Sequence, residues 1–185
     1  MSEDRKSERI KDSLKRAAGA LHEANVPFML GGGLAVWARG GPTTENDLDL
    51  MVKPEDAERA LETLEQLGMR PEKPPEGWLY KAWDDGVLID LIFRPASEPV
   101  DDAMFERAVE LEVNAVPMLV MSLEDVMVAK LKALDEHELD YERLLEFARS
   151  LREQIDWGDV RKRTDGSPYA KAFFTMVEEL GIVPS

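Results

Sequence analysis

The chain has 185 residues, 44% of them hydrophobic, enough for one domain or a core with an appendage, and enough to bury about two-thirds of its unfolded surface. It has no cysteine, which excludes disulfides and thiolate metal sites. Twenty-three Lys and Arg against 38 Asp and Glu give a formal charge of −15; a field of that sign repels polyphosphate and speaks against an extended nucleic-acid surface.

The opening MSEDRKSERI has no apolar signal core, and no stretch reaches the roughly 18 apolar residues of a membrane span. Composition therefore reads as a soluble, cytoplasmic, acidic protein with no membrane partner. From about Ser2 to Asn25, Ile10, Leu14, Ala17, Ala18 and Leu21 fall on one helical stripe. Val26 to Leu30 is a short apolar strand that runs into Gly31, Gly32 and Gly33. A short helix, Leu34 to Arg39, ends at Gly40-Gly41-Pro42.

In Asp47 to Val52, Leu48 and Leu50 alternate with Asp47 and Asp49, the pattern of a strand. Pro54 marks a helix start and Gly68 its end. A Pro-rich loop with Pro71, Pro74 and Pro75 leads to two strands, WLYKAW and VLIDLIF, joined through Asp84-Asp85-Gly86 as a tight hairpin. Val100 to Val113 reads as a helix, and Ala115 to Met121 as a strand placed at a sheet edge by Pro117. Ser122 and Asp125 read as a capping box for a helix to about Leu134. A second helix spans about Glu138 to Arg152, and shorter ones follow Asp159. Two regions result, a core over residues 1–121 and a helical region over 122–185.

Two histidines, His22 and His137, lack partners at metal-ligand spacing, and no Gly-Lys-Ser/Thr follows the glycines, so histidine–zinc sites and P-loops are struck out. What remains is acidic. Asp47 and Asp49, two apart on a strand with Cα atoms roughly 6.6 Å from each other, point to one face. Asp90 sits inside Val87–Phe93, where an ionised carboxylate costs several kcal/mol unless something compensates it. Oxygen-rich sites of this kind suit Mg²⁺ or Mn²⁺. The plainer alternatives are turn chemistry for the glycines and the Asp pair, and a solvent-facing edge position for Asp90.

The order Gly32-Gly33, Asp47-Leu48-Asp49, Asp90 resembles the signature of the nucleotidyltransferase superfamily that includes DNA polymerase beta and the small antibiotic-modifying enzymes. The block GGGLAVWARGGPTTENDLDLMV is similar to small stand-alone bacterial members of the aminoglycoside, lincosamide and abortive-infection toxin types. The likeness covers roughly residues 26–135. It implies an α+β fold, a mixed twisted sheet flanked by helices and followed by a C-terminal helical region. It also implies an enzyme moving a nucleoside monophosphate from an NTP such as ATP to a hydroxyl of a small-molecule or RNA-end acceptor, releasing pyrophosphate.

Asp47, Asp49 and Asp90 would be the catalytic and metal-binding residues, with Mg²⁺ or Mn²⁺ as cofactor. Gly32 and Gly33 would meet the phosphates through backbone N–H groups, with Thr44 and Lys130 as secondary nucleotide-binding candidates. Thr44 reads equally as turn chemistry, and Lys130 as a side chain that snorkels to solvent. Many members carry an Arg in the loop before the Asp pair, where this chain has Thr43. The alternative function is a non-catalytic protein of the same fold, binding nucleotide or a partner protein as in toxin–antitoxin pairs.

Overall fold

The computed structural model describes residues 3–42 and 47–183. Helix α1 (Glu3–Glu23) buries Leu14, Ala17, Ala18 and Leu21, the stripe its sequence spacing marks. Strand β1 (Phe28–Leu30) and the short helix α2 (Gly32–Ala38) follow, then β2 (Leu48–Val52) and α3 (Ala57–Gln66). Next come β3 (Arg70–Glu72), β4 (Leu79–Asp84) and β5 (Val87–Ile92). The chain continues through α4 (Asp102–Arg107), β6 (Val109–Val113) and β7 (Val116–Val120). It closes with α5 (Leu123–Ala133), α6 (Tyr141–Leu151), α7 (Trp157–Thr164) and α8 (Pro168–Glu179).

The strands form one mixed sheet in the order β3-β4-β5-β2-β1-β7-β6. β2 runs parallel to β5 and β1 parallel to β7, while the other neighbours are antiparallel. Alternation sorts the central strands into two faces. Leu48, Ile89 and Ala82 form one cross-strand row and are fully buried. On that same face Asp84, the last residue of β4, accepts hydrogen bonds from Ser13 (2.8 Å) and Arg16 of α1. This back face is therefore the one covered by α1 and α3. The front face carries Asp49, Asp90 and Lys81, and is flanked by α2 and α5.

Several elements differ from the sequence reading, each for a local reason. Val100–Val113 is a helix only to Arg107. Val109, Leu111 and Val113 alternate with Glu110 and Glu112, a period of two, and form an edge strand. Asn114 (φ 52°) and Ala115 (φ 64°) supply the two left-handed residues of the tight turn into β7. β7 itself lies inside the sheet. Pro117 is tolerated there because β1 is three residues long and meets β7 near Val120, leaving the proline beyond its reach. The Pro-rich loop contains β3, with Pro71 on the other edge of the sheet. Pro54 precedes α3 by a turn, and the helix proper starts at Ala57.

The hairpin between β4 and β5 has the expected two-residue turn, Asp85 (φ 48°) and Gly86 (φ 83°). Ser122 does cap α5, its hydroxyl accepting from the Asp125 N–H at 3.1 Å. Asp125, however, sends its carboxylate elsewhere. It is 1% exposed and receives both Arg107 Nε (3.0 Å) and Arg107 Nη2 (2.9 Å), together with Arg163 of α7. The cluster ties α4, α5 and α7 at one point. Phe173 and Phe174 of α8 fill the core beneath the C-terminal helices. No helix among the described residues is long and apolar enough to cross a membrane.

Candidate active site

The site grows out of the sheet register. β2 and β5 run in parallel with Asp49 opposite Asp90, and the hairpin sets Lys81 opposite Asp90 and Glu72 opposite Lys81. One row thus crosses four strands as Glu72, Lys81, Asp90 and Asp49. β5 is third of the seven strands, so Asp90 is not an edge residue. Its carboxylate lies 3.3 Å from Lys81 Nζ. Burial holds its pKa above the usual carboxylate value, Lys81 offsets part of that, and Asp47 adds to it.

Asp49 is the more perturbed. Burial is the largest cause of a pKa pushed up to about 6, with Lys130 lowering it, Asp90 and Asp47 raising it, and Lys81 lowering it. Its backbone carbonyl accepts the Gly31 N–H at 2.8 Å. Gly32, at φ +53°, stands against the carboxylate: a Cβ there would come within 1.7 Å of Asp49 Oδ2. Only glycine satisfies both the dihedral and the space. Asp47 lies just before β2 and is exposed; its field reaches both other aspartates. Thr43 and Thr44 lie outside the described residues. Among the described residues no group of three His, Cys, Asp or Glu side chains stands close enough to hold a metal ion.

Gly32 and Asp49 form the polar end of a cleft of about 410 Å³, within the range of roughly 300–1,000 Å³ usual for small-molecule sites. Met51 and Ile92, paired across β2 and β5, line it from the sheet, and Val126, Ala129 and Lys130 line it from α5. Lys130 does not snorkel. It is half-buried over the Phe147 ring (5.7 Å), and burial lowers its pKa while Asp49 raises it.

Sequence reasoning missed Lys81, the partner of Asp90, and one wall of the cleft, the turn Arg94–Ser97. Lys81 was reachable from the two-residue turn, because pairing Asp84 with Val87 forces Lys81 opposite Asp90. Trp78, 40% exposed, stands at the mouth. The turn Arg94–Ser97 forms another wall, with Ala96 (φ 49°) and Ser97 (φ 69°) both left-handed without being glycine. Local strain of this kind clusters at functional sites. No pattern in the sequence marks it.

Comparison with known proteins fits this arrangement. Residues 3–178 match the family described as "Uncharacterised nucleotidyltransferase". The chain belongs to that family. It is a nucleotidyltransferase, an enzyme of the class that transfers nucleoside monophosphates.

Solved structures share the fold. ANT(2")-Ia, crystallised in complex with adenylyl-2"-tobramycin, matches with a TM-score of 0.65 at 16% identity, over 88% of this chain and 98% of its own. The lincosamide antibiotic adenylyltransferase LnuA, lincomycin-bound, matches at 0.54 and 13% identity, over 78% of this chain and 97% of its own. A Thermotoga maritima protein described as a "putative nucleotidyltransferase" matches at 0.52 and 18%, over 77% of this chain and 89% of its own. At such identities the likeness shows an architecture: the mixed sheet, flanking helices and C-terminal helical region that the sequence resemblance implies. No curated protein matches the sequence.

Proposed function

We propose that this nucleotidyltransferase moves a nucleoside monophosphate from an NTP such as ATP to the hydroxyl of a small-molecule acceptor, with Mg²⁺ or Mn²⁺ as cofactor and pyrophosphate as the second product. The observation that carries the reading is the register of Asp49 beside Asp90, with Gly32 packed against the Asp49 carboxylate. Asp49 and Asp90 offer adjacent oxygen donors, the chemistry a hard divalent cation takes, and phosphate oxygens would complete a set that the side chains alone do not form.

Asp49 and Asp90, joined by Asp47, would hold the metal. Bound there, it would neutralise phosphate charge and stabilise the attacking and leaving oxygens. The chain's own residues do the rest. Backbone N–H groups at Gly32 and Gly33, without Cβ atoms to obstruct approach, receive the phosphates, with Thr44 as a further phosphate contact. Lys130 faces them from α5. The acceptor oxygen bonds to the α-phosphorus, the bond from that phosphorus to its bridging oxygen breaks, and pyrophosphate leaves with the electron pair. The hydroxyl proton passes to the Asp90 carboxylate, which burial makes a stronger base than an ordinary carboxylate.

A small acceptor is supported by the size of the cleft and by the net charge of −15. The ligands named with the solved relatives, tobramycin and lincomycin, are of that class. The helical region 122–185 would supply the acceptor side, in the cytoplasm.

A second reading, nucleotide or partner binding without turnover, draws on the Lys81–Asp90 ion pair, which occupies the proposed base. Calorimetric titration of each NTP with Mg²⁺ tests both. Micromolar binding in the wild type that vanishes in Asp49→Asn upholds the site. Pyrophosphate release with an acceptor panel, including an RNA 3′ end, then separates transfer from binding. A folded wild type that binds no NTP would overturn the transfer reading and leave a partner-binding protein as the better account.

A further inference from the structure

The ion pair between Lys81 and Asp90 stands directly beside the proposed metal position. We propose that Lys81 takes the place of the second of two divalent cations, so that the site holds one metal ion where three aspartates would otherwise invite two. The inference rests on the nucleotidyl-transfer reading and specifies its metal stoichiometry.

Register is the first argument. Lys81 of β4 and Asp49 of β2 flank Asp90 from opposite sides, on the same face of the sheet. Lys81 Nζ donates to Asp90 Oδ1 at 3.3 Å, and Oδ2 has no hydrogen bond among the described residues. One oxygen of Asp90 is thus held by an ammonium group, and the other is left for a metal shared with Asp49. Two-metal sites set their ions about 3.5–4 Å apart. A second ion on Asp90 would have to share that carboxylate with Lys81, and like charges at such range repel strongly away from bulk water.

Partners come second. Glu72 faces Lys81 from β3, but its carboxylate accepts the Trp83 Nε1–H at 3.0 Å and lies 3.8 Å from Arg70. Arg70 in turn lies over the Trp83 ring, 5.3 Å from its centroid. The outer strand therefore closes on its own partners and leaves Lys81 to Asp90. Burial is third. The side chains of Lys81 and Asp90 are 25% and 15% exposed, and a pair in that setting is screened less by salt than one at the surface. Lys81 is also the largest influence opposing burial at Asp90. An ammonium group on a strand supplies this positive charge as a donor only, and cannot coordinate substrate oxygens as a metal does.

Electron paramagnetic resonance of Mn²⁺ on the full chain, with a non-hydrolysable ATP analogue present, tests this. The wild type should show the spectrum of an isolated ion, one per chain. Lys81→Met removes the charge and should give the spectrum of a coupled pair, the second ion binding roughly 10- to 100-fold more tightly than to the wild type. Lys81→Arg keeps the charge and should return the isolated-ion spectrum. Lys81→Gln repeats the test should Lys81→Met fail to fold. A purely structural role for Lys81 would move the unfolding temperature and leave the ion count alone.

A coupled pair in the wild type would overturn the proposal, as would a wild type without bound Mn²⁺ or an isolated ion in a folded Lys81→Met. Transfer is read separately, as pyrophosphate release. Release from a wild type that holds a coupled pair would keep the transfer reading and sink this one. One ion in the wild type and two in Lys81→Met, with no release from either, would do the opposite.

Discussion

Two desolvated carboxylates, Asp49 and Asp125, have opposite fates. Asp125 is buried as well, but hydrogen bonds from Arg107, Arg163 and Ser122 outweigh burial and hold its pKa below the usual value. Asp49 has no such hydrogen-bond partners among the described residues, so burial and its acidic neighbours push it up to about 6. One carboxylate has been given all the positive charge it needs by its own chain. The other has only the through-space fields of Lys130 and Lys81 against its burial. The contrast separates a structural ion cluster from a candidate site with no appeal to motif.

The largest expected effect breaks the comparison on the functional side. Asp49→Asn should abolish Mg²⁺-dependent nucleotide binding and lower transfer by on the order of 10³-fold or more, while leaving the unfolding temperature equal or higher. A marked loss of stability would show that Asp49 is structural after all.

Asp125→Asn should do the reverse. It deprives two arginines of their anion, and stability should fall by about 3 kcal/mol, near 6–12 °C in Tm for a chain of this size. Nucleotide affinity measured below that transition should stay within a few-fold of the wild type. Next in size is Gly32→Ala. A left-handed alanine costs roughly 1–2 kcal/mol, and its Cβ would displace the Asp49 carboxylate, so nucleotide binding should be lost with a modest drop in Tm.

Acid titration of stability in metal-free buffer gives the smallest effect and the sharpest contrast. Asp125 has a depressed folded pKa, so its contribution is complete above the ordinary carboxylate pKa near 3.9 and is lost as pH falls through the depressed value. For Asp49 the folded pKa is raised to about 6, so ionisation opposes folding as pH rises from about 4 to 6. The stability gained by Asp49→Asn at pH 7 should therefore shrink on acidification to pH 4, whereas the loss in Asp125→Asn should persist across that interval. Denaturant unfolding at both pH values checks the two signs.

The parts of the molecule legible in sequence were those written as local pattern. Alternation in DLDLMV put Leu48 and Leu50 into the core, and Asp85-Gly86 fixed a hairpin whose register places Lys81 opposite Asp90. The edge strand β6 was masked by a helical beginning: Asp102–Arg107 is helical, and the change of period at Val109 falls within one continuous polar–apolar run. Long-range partners left no mark at all. Nothing near Asp125 announces Arg107 or Arg163, and the pairing of β2 with β5 that brings Asp49 to Asp90 depends on a crossover.

The outer strand β6 has its own consequence, for the behaviour of many copies in one solution. Its Glu110 and Glu112 are exposed, as is Val109 at 46%. An open strand edge invites a second chain to add on, and here each newcomer would set glutamate against glutamate on a molecule already bearing −15. Added salt screens that repulsion, and the edge that exposes Val109 becomes the place where colloidal stability is lost first.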